Sequence, residues 1–222
     1  MTRIKRFGYL FLVIAIIATI TRFPEVTANA SFSGVFQFDE EGKFTVLQLA
    51  DIQENKSVES GTIDLITRAL ARYKPDLVVF TGDNVKGLIS SSSFESAVDQ
   101  FLAPLIATNT KFAVTFGNHD DLGPWPNPGT REEQYAYYKS KGGSLFVDHD
   151  VPALDGTGSG SIPIYPYEHS SGTPAFQVFL MDSGTYNTIT YTSLDAIKTS
   201  QIDYYLTTNP KVPSLWFQHI PV

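Results

Sequence analysis

Four short strings in this sequence carry side chains able to hold a hard cation or move a proton. They are Asp51 with Gln53, Asp83 with Asn84, the run Asn118-His119-Asp120, and His219. Oxygen donors combined with imidazole suit divalent ions such as Mn, Zn or Fe, and one central Asp can bridge two of them. Two ions about 3.5–4 Å apart can clamp a phosphoryl group and draw hydroxide from water at neutral pH. Asp, Asn and Gly also favour the turns that follow strands, which accounts for any single one of these strings. It accounts poorly for all four, and a shared crevice is the functional reading.

For such distant residues to meet, the runs before them must lie side by side. Phe44–Leu49 is a β-prone run that stops at Ala50-Asp51. Ile63, Ile66, Ala69, Leu70 and Tyr73 recur at three- and four-residue steps, which predicts an amphipathic helix over 62–73, ended by Pro75. Leu77–Phe80 is continuously apolar, the pattern of a strand covered on both faces, and it ends at Thr81-Gly82-Asp83-Asn84. A serine-rich stretch, Ser90–Ser93, then caps a helix that turns Phe94, Ala97, Val98, Phe101, Leu102 and Leu105 inward. The strand Phe112–Phe116 follows and runs into Gly117-Asn118-His119-Asp120-Asp121. This alternation predicts a βαβαβ sheet with right-handed crossovers, whose carboxyl strand ends converge on one crevice.

Thr130-Arg131-Glu132-Glu133 fits a capping box opening a helix through Tyr138. The stretch 142–173, rich in Gly, Ser and Pro, reads as loop with at most a short hairpin. Ala175–Met181 reads as a strand ending at Asp182-Ser183-Gly184, Ser200–Leu206 as a short helix, and Ser214–Gln218 as the strand that delivers His219.

The chain has 222 residues, 42% of them hydrophobic, with 16 Lys+Arg, 23 Asp+Glu and no Cys. Disorder, collagen and disulfide scaffolds are excluded, as are thiolate catalysis and Cys-ligated zinc. A net charge of −7 argues against nucleic-acid binding, which draws on an excess of Lys and Arg. Arg3, Lys5 and Arg6 precede an uncharged apolar run from Tyr9 to Ile20, and Ala28-Asn29-Ala30 offers a small-x-small cleavage site. Residues 1–30 are expected to be a signal peptide, because the run is short of the roughly 20 residues a span requires. The expectation is a secreted, extracellular or periplasmic protein of residues 31–222 with no stable membrane span after cleavage. Asn55-Lys56-Ser57 is a glycosylation acceptor in a eukaryotic host.

Taken in order, Asp51-x-Gln53, Gly82-Asp83-Asn84, Gly117-Asn118-His119-Asp120 and His219 resemble the calcineurin-like metallophosphoesterases. The likeness is greatest to the purple-acid-phosphatase-related branch, and it covers Phe44 to Val222. It implies a four-layer α/β/β/α sandwich and two di- or trivalent ions (Fe, Zn or Mn). It also implies a phosphate-ester substrate. Asp51 would ligate the first ion, with Gln53 at the position where this branch commonly has a histidine. Asp83 would bridge both, and Asn118 and His219 would ligate the second. His119 would protonate the leaving group, with Asp120 orienting its ring. Lys86 stands where purple members carry tyrosine, so no tyrosinate colour is expected. The family's closing Gly-His-x-His would lie beyond Val222, and residues 31–222 are read as the N-terminal part of a phosphatase domain incomplete at its C-terminus. Gln53 and that missing motif motivate the alternative, a catalytically impaired secreted binding module.

The other residues have plainer readings. His149 and His169 lie in the polar stretch, where an exposed histidine is expected. Asp182-Ser183-Gly184 resembles the aspartic-protease triplet, but that chemistry requires two copies. Asp182 is therefore expected to be a turn residue near the site. Trp125, Tyr135, Tyr137, Tyr138, Tyr165 and Tyr167 are expected to pack rather than to form a substrate rim.

Overall fold

In the computed structural model, which describes residues 17–19, 34–121, 129–169, 172–185, 194–208 and 212–221, the order of elements is β1 (Ile17–Thr19), β2 (Phe36–Gln37), β3 (Thr45–Leu49), α1 (Ser60–Tyr73), β4 (Leu77–Thr81), α2 (Ser91–Ala107), β5 (Phe112–Thr115), α3 (Arg131–Gly142), a 3-10 turn (Gly143–Leu145), β6 (Gly160–Tyr165), β7 (Phe176–Leu180), α4 (Thr199–Thr208) and β8 (Ser214–Phe217). β3 pairs in parallel with β4, and β4 with β5, as the alternating strand and helix patterns predict. The first sheet has the order β1-β3-β4-β5 and the second β2-β6-β7-β8.

Side-chain alternation along the central strands separates two cores. Leu47, Leu49, Val78, Phe80, Phe112 and Val114 face α1, α2 and α3, packing with Ile66, Leu70, Phe101, Leu105 and Tyr138. Val46, Leu77, Val79 and Ala113 face the second sheet and meet Ile162, Ile164, Phe176, Val178 and Leu180. On the far side of that sheet, the Phe179 ring packs edge-on to Tyr205 of α4 at 4.9 Å. The order of layers is thus α/β/β/α, with both sheets covered.

Helix ends follow local chemistry. Ser90 accepts from the Ser93 amide, and Thr130 and Glu133 form the full capping box. Lys74 takes a left-handed turn and donates to Leu70 O, closing α1 ahead of Pro75.

The structure corrects several expectations. The stretch 142–173 contains the six-residue strand β6, whose buried Ile162 and Ile164 alternate with half-buried Ser161 and Pro163. Pairing with β7 supplies what its composition conceals. Tyr73, expected on the buried stripe of α1, is 37% exposed and lies under Arg72. His149 is 5% exposed rather than solvated. Its ring nitrogens meet Val147 O and Gly158 O, each at 3.1 Å, and burial pushes its pKa down. His169 is half-buried.

Tyr135 and Tyr138 pack in the core as expected, while Tyr167 is exposed and Trp125 lies outside the described residues. The leader expected over 1–30 also lies outside them, except for Ile17–Thr19, which pair antiparallel with β3. No helix among the described residues is long and apolar enough to cross a membrane.

Candidate metal centre

Backbone geometry at the strand ends builds the site. Asp51, Gln53 and Asp83 all have positive φ, at 55°, 46° and 50°. This region is costly for side-chain-bearing residues and recurs at functional sites. The segments after β3 and β4 continue side by side: the Asp51 amide donates to Gly82 O and the Gln53 amide to Asp83 O. Gly82 has φ 103°, and a Cβ there would lie 2.4 Å from the Gly117 nitrogen, so two turns meet backbone to backbone.

Asp51, Asp83 and His219 each offer a ligand atom, and these atoms lie within 4.8 Å of one another. Asp83 is 2% exposed. Its Oδ1 accepts from the His119 amide at 2.8 Å and faces His219 Nε2 at 3.3 Å. Its Oδ2 accepts from Gln53 Nε2 at 3.0 Å. A Cβ at Gly117 would sit 2.3 Å from Asp83 Oδ1 and 2.8 Å from His219 Cδ2. Glycine therefore keeps open the space in front of the Asp83 carboxylate. Two hard carboxylates, an imidazole and that clearance fit a divalent cation.

The electrostatics agree with that fit. Burial raises the Asp51 carboxyl above its ordinary value, reinforced by Asp83 and opposed by His219. Burial also presses Asp83 upward, but bonds from His219 and the His119 amide leave it below its ordinary value. Burial depresses His219, and its bond to Asp83 more than reverses this, so its pKa stands above 6.5. In the metal-free chain this pair contributes stability below pH 6.5, which is lost as pH rises through the raised value. Metal affinity has the opposite sign, because a ligating imidazole must first lose its proton. Co2+ affinity is expected to fall about tenfold per pH unit once pH drops below the raised His219 value. Calorimetry in buffers of different ionisation enthalpy should show about one proton released per ion at pH 6; pH-independent binding would remove His219 from the ligand set.

Not every predicted residue faces the cluster. Asn84 turns into the sheet, its Nδ2 donating to Thr115 O at 3.2 Å. Asp120, to which the resemblance assigns the His119 ring, uses both oxygens on backbone. Oδ1 accepts from the Asn84 and Val85 amides at 2.8 and 3.2 Å, and Oδ2 from the Gly117 amide at 2.7 Å. It is 1% exposed, and burial pushes its carboxyl up to about 7. Asp120 thus ties one strand-end turn to the next instead of orienting His119. His119 itself is exposed, with the Gly87 backbone beside Nδ1. Asn118 is half-buried on the same turn.

Local pattern places Arg131 only in a capping box, and its larger task comes from tertiary contacts. Its guanidinium donates to Gly117 O at 2.6 Å, Asp121 Oδ1 at 3.2 Å and Asp182 Oδ1 at 2.5 Å. Asp182, expected as a turn residue near the site, is the buried partner of this cation.

Fold and site together define an α/β protein with a carboxylate and imidazole cluster at the strand ends. The chain belongs to the calcineurin-like phosphoesterase family, whose model matches residues 44–221. It is 28% identical to a probable inactive purple acid phosphatase 14 of Arabidopsis thaliana, over 84% of this chain and 55% of that protein. It is 31% identical to the phosphatase DCR2 of Saccharomyces cerevisiae, over 84% of this chain and 36% of that protein. The chain thus spans about half or less of the length of these relatives. A solved dimetal phosphatase from Danio rerio shares the fold with a TM-score of 0.51 at 15% identity, covering 81% of this chain and 70% of that one.

Proposed function

We propose that this chain carries the ligand cluster of an exported, two-metal phosphate-ester hydrolase. The observation that carries the reading is the convergence of Asp51, Asp83 and His219 from three separate strand ends. Asp51 would hold one ion and His219 with Asn118 a second, with Asp83 between them. Gln53 would join the first only by turning its amide over, at the cost of its bond to Asp83. Bound ions would supply Lewis acidity toward phosphoryl oxygens and lower the pKa of water.

The protein's own share is positional. Asp83 fixes the His119 backbone and leaves the imidazole exposed, where it can give its proton to the leaving oxygen while water supplies the new P–O bond. His119→Asn is expected to lower kcat on alkyl phosphates about 100-fold or more and on 4-nitrophenyl phosphate far less, because a good leaving group needs little protonation. Equal loss on both, followed as phosphate release, would assign His119 an electrostatic or structural role.

A second reading, a secreted binding module, is favoured by the Gln53 amide occupying Asp83 Oδ2 and by relatives named as probable inactive. Phosphate and Mn2+ binding with no turnover on any ester, in the presence of Mn2+, Zn2+ or Fe2+, would establish it over the first.

A further inference from the structure

The Asp182-Ser183 pair that follows β7 takes no part in the chemistry above, yet its contacts reach, through Arg131 and the Ile220 amide, toward both halves of the site. Asp182 is 3% exposed and Ser183 1%. Asp182 Oδ1 receives Arg131 Nη1 at 2.5 Å, and the same guanidinium holds Gly117 O, the residue before Asn118 and His119. Asp182 is itself held by the amides of Thr157 at 3.1 Å and Gly184 at 2.8 Å. Its backbone is braced by Ser159 Oγ and Gln201 Nε2. One residue on, Ser183 Oγ accepts from the Ile220 amide at 2.9 Å, the peptide unit that follows His219. Two neighbouring side chains just past the end of β7 thus grip the turn after β5 and the segment after β8.

We propose that Asp182 and Ser183 are positioning residues that set the separation between the Asn118-His119 turn and His219, and with it the geometry of the metal centre. The inference rests on the metal-centre reading of Asp51, Asp83 and His219. Asp182 acts through Arg131, whose planar fork spans Gly117 O and Asp121. Ser183 acts directly on the backbone that carries His219. Neither side chain is required to touch an ion. Losing an outer partner of a ligand typically costs 10–100-fold in metal affinity, because ligand orientation is lost.

The test uses the full chain with Co2+ alone. Ser183→Ala and the isosteric Asp182→Asn are each expected to weaken Co2+ binding by about 10–100-fold and to alter the visible absorption of the Co2+-saturated protein. Ser183→Ala should also shift the His219 imidazole NMR signals in the metal-free chain. The control is Ser161→Ala, which breaks hydrogen bonds to Tyr204 and Gln177 in the same sheet away from the site. It should lower the melting temperature comparably while leaving affinity and spectrum unchanged. Wild-type affinity, spectrum and His219 signals in Ser183→Ala would overturn the inference, as would equal weakening by Ser161→Ala. If the wild-type chain takes up no Co2+ but Ser183→Ala still shifts His219, the metal reading fails and the positioning role stands.

Discussion

Asp83→Asn is expected to reduce divalent-metal affinity by more than about 100-fold, beyond the 10–100-fold range usual when only a partner of a ligand is lost. Three groups converge on this one carboxylate: Gln53 Nε2, the His119 amide and His219 Nε2. Asparagine keeps the volume and tolerates the left-handed backbone that Asp83 adopts at φ 50°, so the fold should survive. Its neutral amide offers one acceptor where two are in use and removes the charge that would attract a cation. Calorimetry with Mn2+ and circular dichroism of the variant separate the two effects. Retained affinity in a folded variant would show that Asp83 is not the bridge.

Gly117→Ala should be a severely damaging single-methyl change at the site, alongside the equally crowded Gly82. The added carbon would lie 2.3 Å from Asp83 Oδ1 and 2.5 Å from the Asp83 nitrogen, inside any real contact. The neighbours cannot withdraw cheaply, since the Gly117 amide is held by Asp120 and its carbonyl by Arg131. Overpacking of this kind costs about 1–3 kcal/mol, occasionally more, and the upper end is expected here together with loss of metal binding. Urea unfolding of the metal-free chain measures the first and Co2+ titration the second. An alanine variant with unchanged stability would mean that the two turns can separate.

The strand and helix pattern from Phe44 to Phe116 was legible because period-two and period-3.6 burial are written directly into residue order. β3, β4 and β5, with α1 and α2 between them, fall where the apolar runs fall. The convergence of Asp51, Asp83 and His219 was legible for a related reason: a strand-end turn is local, and each of the three terminates a run whose direction is set by its neighbours. β6 was hidden because Ser161 and Pro163 alternate with Ile162 and Ile164 inside a Gly- and Ser-rich stretch, and only pairing with β7 makes that pattern a strand.

The tasks of particular polar side chains were decided by contacts that no spacing encodes. Asp120 sits next to His119 in the chain, yet the backbone amides of Gly117, Asn84 and Val85 claim its oxygens. Arg131 and Asp182 are 51 residues apart and become a buried ion pair only when α3 and the end of β7 arrive at the same turn. Local pattern specifies which way a chain runs and which residues it offers at each strand end. Burial then settles what those residues do, because a desolvated carboxylate or guanidinium must take whichever partner the packed fold brings within hydrogen-bonding reach.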